Sequence, residues 1–258
     1  MPPSAWLALM IGSSRLHWAW FAAGELKATW DLPHLPENVV GALVQSPDFS
    51  SIAVNAPDLP ANLPLWIASV VPSQTQLWQT YPFAQVLTLE QVPVGRLYST
   101  LGIDRALSLC GAGNRYGFPV LVIDAGTALT VTGADSEGNL HGGAILPGLQ
   151  LQMRSLHEHT AALPALSTET LAMPPRWANN TPQAIQSGIL YMLLAGLHDF
   201  VEAWLQSFAH SAIVLTGGDS QLLSACIAQR FPSLAAKITT DPQIIFWGMQ
   251  AVLDQTVR

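Results

Sequence analysis

LVIDAGTALTVTGADSEGNL, residues 121–140, and LALMIGSSRLHWAWFAAGEL, residues 7–26, are two copies of one pattern. In each, a short apolar run ends at a tight Gly turn carrying small or hydroxyl residues. A second, alternating run follows, and a polar Gly turn closes the unit. Gly12 aligns with Gly126, Ser13 with Thr127, and Met10 with Asp124. Period-two runs bounded by Gly turns read as strand–turn–strand hairpins. One such hairpin in each half of the chain predicts two related lobes. Their turns are expected to face each other across a cleft and hold a phosphate chain, the cleft being the natural ligand site.

Working outward, Trp6–Ile11, Leu16–Phe21 and Leu26–Trp30 read as a three-strand meander, followed by a helix near Pro36–Gln45. Ser51–Val54 and Leu65–Val71 read as short strands, the second ended by Pro72. A helix is expected over Arg105–Ala112. The pattern restarts near Tyr116-Gly117-Phe118-Pro119, which sets the expected lobes at 1–115 and 116–258. Val120–Ile123, Leu129–Thr132 and Leu140–Leu146 repeat the meander, and Leu149–Glu158 reads as a helix. Residues 160–180 read as a loop. Thr181-Pro182 opens the clearest helix, as hydroxyl N-cap and N1 proline, and its apolar residues run to about Phe208. Ala212–Leu215 is a strand, and Gln221–Arg230 and Ile244–Leu253 are the last helices. Strands and helices in two similar halves define an α/β protein with two sheets, each flanked by helices.

Bulk properties narrow the function. Of 258 residues, 50% are hydrophobic and 10% charged, so the chain can bury a sizeable core. The net charge is −7 with ten Lys and Arg, which argues against a general nucleic-acid binder and against anionic membrane surfaces. Cys110 and Cys226 form no CxxC pair and read as free thiols of a reducing compartment. MPPSAWLALMIG lacks a basic start and reads as a first strand rather than a signal peptide. No run is expected to reach the length of a membrane span. A soluble cytoplasmic protein is the resulting expectation, and the nine tryptophans read as core and interface packing.

Five strings carry candidate chemistry. Asp124-Ala125-Gly126-Thr127 ends an apolar strand. It suits a phosphate or cation turn, with the backbone of Gly126 open to close approach and Thr127 adding a hydroxyl and an N–H. It equally suits a hairpin turn with Asp as an Asx cap. Leu215-Thr216-Gly217-Gly218-Asp219 is a strand ending in paired glycines before a helix, either a seat for an anionic group or a plain strand-to-helix turn. Gly142–Gly148, GGAILPG, reads as a loop that closes over a ligand or as a rigid connection. Leu101-Gly102-Ile103-Asp104-Arg105 sets an acid beside a base at a helix start. Asp104 suits proton acceptance from a hydroxyl and Arg105 an anion or carbonyl; a helix-favouring Asp with a solvated Arg is the plainer reading. The Gly12-Ser13-Ser14-Arg15 turn is the fifth.

Together DxGTAxT at 124–130, GGxIxPG at 142–148, TGGD at 216–219 and GxDR at 102–105 resemble the type III pantothenate kinases. SVVP at 69–72, the Asn180-Thr181…Ala184-Ile185…Gly188-Ile189 string and Asp241-Pro242 fit the same family in order and spacing along essentially the whole chain. The resemblance implies the acetate and sugar kinase/Hsp70/actin fold. That means two ribonuclease-H-like lobes of the actin-like ATPase type, with the active site in the interlobe cleft. It implies ATP-dependent phosphorylation of pantothenate, the first step to coenzyme A, with Mg2+, a monovalent cation (K+ or NH4+) and a homodimer. By the same resemblance, Asp104 would be the general base, and Gly102, Ile103 and Arg105 would frame pantothenate. Thr181 would reach that substrate from the other subunit. Gly12, Ser13, Ser14 and Arg15 would hold the ATP phosphates, with Gly126, Thr127, Gly217 and Gly218 as further nucleotide contacts. Asp124 would bind the monovalent cation.

One position departs from the family. Its first phosphate loop usually reads DxGNT, whereas this chain has Met10-Ile11-Gly12-Ser13-Ser14. Methionine holds no cation, and losing a charge-stabilising group costs on the order of 10²–10³ in rate. Met10 motivates a second reading, a non-catalytic pantothenate- or nucleotide-binding regulatory protein on the same fold. The family's tyrosine ahead of GxDR finds its nearest counterpart in Tyr98.

Overall fold

A computed structural model describes residues 3–46, 48–53, 56, 59–168 and 171–256. In chain order its elements are β1 (Ala5–Ile11), β2 (Arg15–Ala22), β3 (Glu25–Pro33), α1 (Glu37–Gln45), β4 (Leu65–Ser69), α2 (Pro72–Trp78), β5 (Ala84–Val86) and α3 (Ile103–Tyr116). There follow β6 (Val120–Ala125), β7 (Ala128–Ala134), β8 (Leu140–Pro147), α4 (Leu149–Glu158), α5 (Thr181–Ser207), β9 (Ala212–Thr216), α6 (Ser220–Arg230), α7 (Pro232–Ala235), β10 (Ile238–Thr240) and α8 (Ile244–Thr256). The chain divides into two units, residues 1–114 with 243–258, and residues 115–242.

The duplication read in the sequence is a duplication of topology. The first sheet runs β3-β2-β1-β4-β5 and the second β8-β7-β6-β9-β10. In both, the hairpin and its third strand are antiparallel, and two parallel strands extend the other side. β1 is central and buried on both faces, which explains its unbroken apolar run. Leu7, Leu9 and Ile11 join Leu16, Trp18, Val40, Leu43, Trp78 and Tyr81 in one core. Trp18 stacks on Trp30 at 5.9 Å and meets the edge of Trp78 at 5.1 Å, so several of the tryptophans form the nucleus of this layer. Trp177, by contrast, is 89% exposed.

The second core gathers Leu121, Ile123, Leu129 and Val131 of the sheet with α4, α5 and α6. α5 corrects the expectation about membrane-length runs: its 27 residues are long and apolar enough, by length and composition, to cross a membrane. Its polar interruptions, Gln186, Ser187 and His198, hide that in the sequence. In the fold its Ile185, Leu190, Leu193, Leu194, Leu197 and Val201 belong to the second core.

Other differences have local causes. Residues 49–51 form a single 3-10 turn instead of a strand, with the Asp48 carboxylate accepting from Ser50 N at 2.9 Å; Val54 lies outside the described residues. β4 ends at Ser69, and Pro72 opens α2 at its first position, where a missing N–H costs nothing. Residues 142–147 are not a loop but part of edge strand β8, and Gly148 precedes α4. The cap of α5 is Asn180, whose side chain accepts from Gln183 N at 3.0 Å; Thr181 is the first helical residue. Residues 169 and 170 of the expected loop also lie outside the described set.

The last helix, α8, goes with the first unit, whereas the sequence reading assigned 116–258 to one lobe. Paired glycines are the reason. A methyl at Gly111 of α3 would collide with Ile244 O and lie 2.7 Å from Gly248 N. One at Gly248 would collide with Leu107 O. Backbone therefore meets backbone, and Trp247 of α8 meets the edge of Phe21 at 5.8 Å. The ends of the second unit are tied to each other: Asp241, 8% exposed, accepts from Tyr116 OH at 2.9 Å and pairs with Arg115 Nε at 3.3 Å.

Candidate active site

In the first unit, Gly102, Ile103, Asp104 and Arg105 come together at the start of α3. The helix begins two residues before the expected Arg105, with Ala106 N donating to Gly102 O at 3.2 Å. Asp104 accepts from the backbone N–H of Arg105 at 2.8 Å. Its carboxylate lies over Gly102, where a methyl would run into Oδ1. Burial pushes the Asp104 carboxyl above its ordinary range, against the opposing pull of the Arg105 N–H and charge. A carboxylate with a raised proton affinity at a helix start suits proton acceptance from an alcohol. The buried Arg105 donates from Nη1 to Tyr98 OH at 3.1 Å, so Tyr98 adjoins this group.

The first hairpin turn carries Gly12, Ser13, Ser14 and Arg15. Gly12 N donates to Arg15 O at 2.9 Å, closing a turn one residue longer than its counterpart in the second unit. Met10 is 2% exposed, so the residue in place of the usual acid is part of the packed interior.

In the second unit, the backbone at Gly148 and at Gly217–Asp219 packs on the turn 124–127. Gly148 N donates to Thr127 O at 2.9 Å, and a methyl at Gly148 would strike Gly126 O. Asp219 N donates to Ala125 O at 2.9 Å. Gly217 has φ +90°, and a methyl there would strike Asp124 Oδ1 and lie 2.6 Å from Ala125 C. Asp124, Gly126, Thr127 and Gly217 are thus one cluster, with Gly218 beside it and open space at its Cα. Thr127 and Gly218 are exposed, so an anion can reach backbone N–H groups there. Asp219, at the head of α6, has its carboxyl pushed up by burial. Thr181, also exposed, lines an open cavity of about 530 Å3 with Leu163, Ala178, Asn180 and Ile185.

Sequence reading named Gly148 and Asp219 within their strings without giving either a site role, and left out His17 and Asp31. The contact of His17 with Asp31 needs strand register, which no local string carries.

Two sheets of matching order, each with a glycine-bordered hairpin turn, give this chain the actin-like ATPase fold. Solved structures agree on the fold: MreB 5 of Spiroplasma citri, bound to AMPPNP, aligns with TM-score 0.53 at 11% identity over 100% of this chain and 98% of that one. A Campylobacter jejuni protein assigned to the Baf family of transcriptional activators aligns at TM-score 0.63 and 19% identity, covering 97% and 98%. Within that fold the chain belongs to the type III pantothenate kinase family, whose sequence profile matches residues 6–203. A type III pantothenate kinase of Nostoc sp. is 49% identical, covering 96% of this chain and 94% of the relative. One from Synechocystis sp. is 42% identical, covering 96% and 90%.

Proposed function

We propose that this chain transfers the γ-phosphoryl group of ATP to the primary hydroxyl of pantothenate, with Asp104 as the general base. The observation that carries the reading is the Asp104 carboxylate, held over Gly102 by the Arg105 N–H and raised in proton affinity by burial. Asp104 takes the hydroxyl proton as that oxygen bonds to the γ-phosphorus. The bond from phosphorus to the bridging oxygen breaks, and ADP leaves with its electron pair. Phosphoryl transfer needs chiefly positioning and charge neutralisation. Gly102, Ile103 and Arg105 frame the acceptor, with Tyr98 OH fixing the guanidinium. Gly12, Ser13, Ser14 and Arg15 hold phosphates, as do Gly126 and Thr127, while Gly217 and Gly218 contact the nucleotide.

The donor set fits ions that arrive largely with the nucleotide. Among the described residues no three His, Cys, Asp or Glu side chains gather as a cage. Mg2+ commonly keeps waters and phosphate oxygens as ligands. Asp124, whose carboxylate lies beside Gly126 and Gly217, would hold a monovalent cation such as K+ or NH4+. Bound ions supply neutralisation of phosphate charge. The chain acts as a homodimer in the cytoplasm, where its ATP is held, and Thr181 touches the pantothenate of the partner subunit. An exposed stripe of Gly188, Met192 and Ala195 on α5, with Met192 at 67% exposure, supports the dimer.

The experiment is direct. Purified protein with ATP, Mg2+, K+ and pantothenate is expected to form phosphopantothenate, and Asp104→Asn to lower kcat by ~10²-fold or more while remaining folded. Folded wild type that binds both ligands without transfer establishes the regulatory reading instead. Full rate in D104N removes Asp104 from the mechanism.

A further inference from the structure

Strand register sets side chains in rows across each sheet, and directly opposite residues share a face. In the second unit the row through the hairpin end reads Thr216, Asp124, Thr130, Ile145 over β9, β6, β7 and β8. The matching row in the first unit reads Ala68, Met10, His17, Asp31 over β4, β1, β2 and β3. An acid is present in both rows. In the first it stands two strands further out, and His17 occupies the position between it and Met10.

His17 links that acid to the turn. Its Nδ1 lies 2.8 Å from Asp31 Oδ1. Its opposite edge lies along Gly12, where a methyl would sit 3.4 Å from Nε2. His34 fixes the same turn from another side, its Nε2–H donating to Gly12 O at 2.8 Å. The carboxyl of Asp31 feels burial, which raises its proton affinity, but the hydrogen bond and charge of His17 and the charge of Arg15 bring it below its ordinary range. A carboxylate at Nδ1 fixes the ring orientation and keeps a proton on that nitrogen, so Nε2, on the Gly12 side, donates only when the ring holds both protons, a state that an adjoining phosphate anion favours. Such a donor suits a phosphate oxygen. It does not suit Mg2+, a hard ion that prefers oxygen ligands.

We propose that His17, oriented by Asp31, presents Nε2–H to a phosphate oxygen of the bound nucleotide at the Gly12-Ser13-Ser14 turn. With both ring nitrogens protonated against the phosphate, it sets positive charge at the turn where Met10 leaves no carboxylate to hold a cation. The inference rests on the phosphotransfer reading for the identity of its ligand, a nucleoside polyphosphate. It predicts a group that senses the phosphate tail and not the base or the acceptor.

The test uses the full chain as wild type, His17→Ala, His17→Gln and Asp31→Asn. KM is measured separately for ATP and pantothenate, and calorimetry compares ADP with adenosine. H17A is expected to raise KM for ATP and Kd for ADP about tenfold or more, the size of a lost charge-assisted hydrogen bond. Adenosine affinity and KM for pantothenate stay within about twofold, because neither presents a phosphate. H17Q, with an amide N–H on a similar stem, retains part of the ADP affinity, and D31N falls between wild type and H17A. A pair that merely braces β2 against β3 would lower the melting temperature and move ADP and adenosine together, or move neither; either result overturns the proposal. Should H17A fail to fold, H17Q and D31N decide by the same ADP-to-adenosine ratio. A wild type that lacks turnover yet loses ADP selectivity in H17A refutes the kinase reading and leaves this contact standing.

Discussion

Replacing Gly102 with Ala separates catalysis from folding in this chain. The added methyl runs into Asp104 Oδ1, while the φ of Gly102 lies outside the left-handed region, so the backbone accepts alanine. The carboxylate is the end of a flexible side chain and must give way. Non-bonded heavy atoms settle near ~3.5 Å, so it retreats by about 1 Å. A displacement of that size at a reacting group costs on the order of 10²-fold in rate. Stability changes little. Weakening the hydrogen bond from Arg105 N costs roughly 0.5–1.5 kcal/mol, and alanine returns roughly 0.4–1 kcal/mol by restricting the unfolded chain. G102A is therefore expected to lose about 10²-fold in kcat, with KM for ATP unchanged and a melting temperature within ~4 °C of wild type. A pH–rate profile adds a signature. Asp104 works deprotonated, so activity falls as pH drops through its titration. Burial puts that limb above the ordinary carboxylate range in the wild type, and freeing the carboxylate moves it down. A G102A enzyme that keeps kcat within about threefold, or whose acid limb stays put, would refute the idea that packing on Gly102 aims the base.

Two further outcomes follow from the geometry. Asn180→Ala is expected to destabilise the fold by about 1 kcal/mol in urea unfolding, through loss of the α5 cap, whereas Thr181→Ala leaves stability unchanged and raises KM for pantothenate; equal stabilities for the two variants would mean the cap carries nothing. Gly217→Ala combines a left-handed backbone, costing roughly 1–2 kcal/mol, with overpacking against Asp124 and Ala125, costing roughly 1–3 kcal/mol. A total loss of about 2–5 kcal/mol is expected in denaturant titration, and a loss under about 1 kcal/mol would show that the strand-to-helix turn yields freely.

What the sequence revealed depended on how local the signal was. Both hairpins, α4 and most of α5 were readable because period and turn residues act within a few positions. β5 and β10, three residues each, are too short to show a period, and they exist because a parallel neighbour offers its edge. α2 was hidden because Pro72 at the end of an apolar run serves equally as a strand stop and a helix start. The cap fell one residue early because Asn180 and Thr181 are both competent, and only the backbone decides. For the candidate site, the strings GxDR, DxGT and TGGD point to Asp104, Asp124 and Gly217. The collisions that a side chain at Gly102, Gly148 or Gly217 would meet are three-dimensional. The Met10 row shows the same limit: Met10 can be read from the chain, while the acid two strands out in its row, Asp31, needs the sheet.

The clasp of Asp241 on Tyr116 and Arg115 has a consequence for how such a chain can be cut and rejoined. Residues 115–242 are one uninterrupted stretch that carries a whole sheet with its helices, and its two ends are already fastened to each other. The remaining unit is assembled from two stretches far apart in the gene, with α8 returning to α3 through Gly111 and Gly248. One half is thus a cassette, and the other a frame that closes only after the ribosome has finished the last helix.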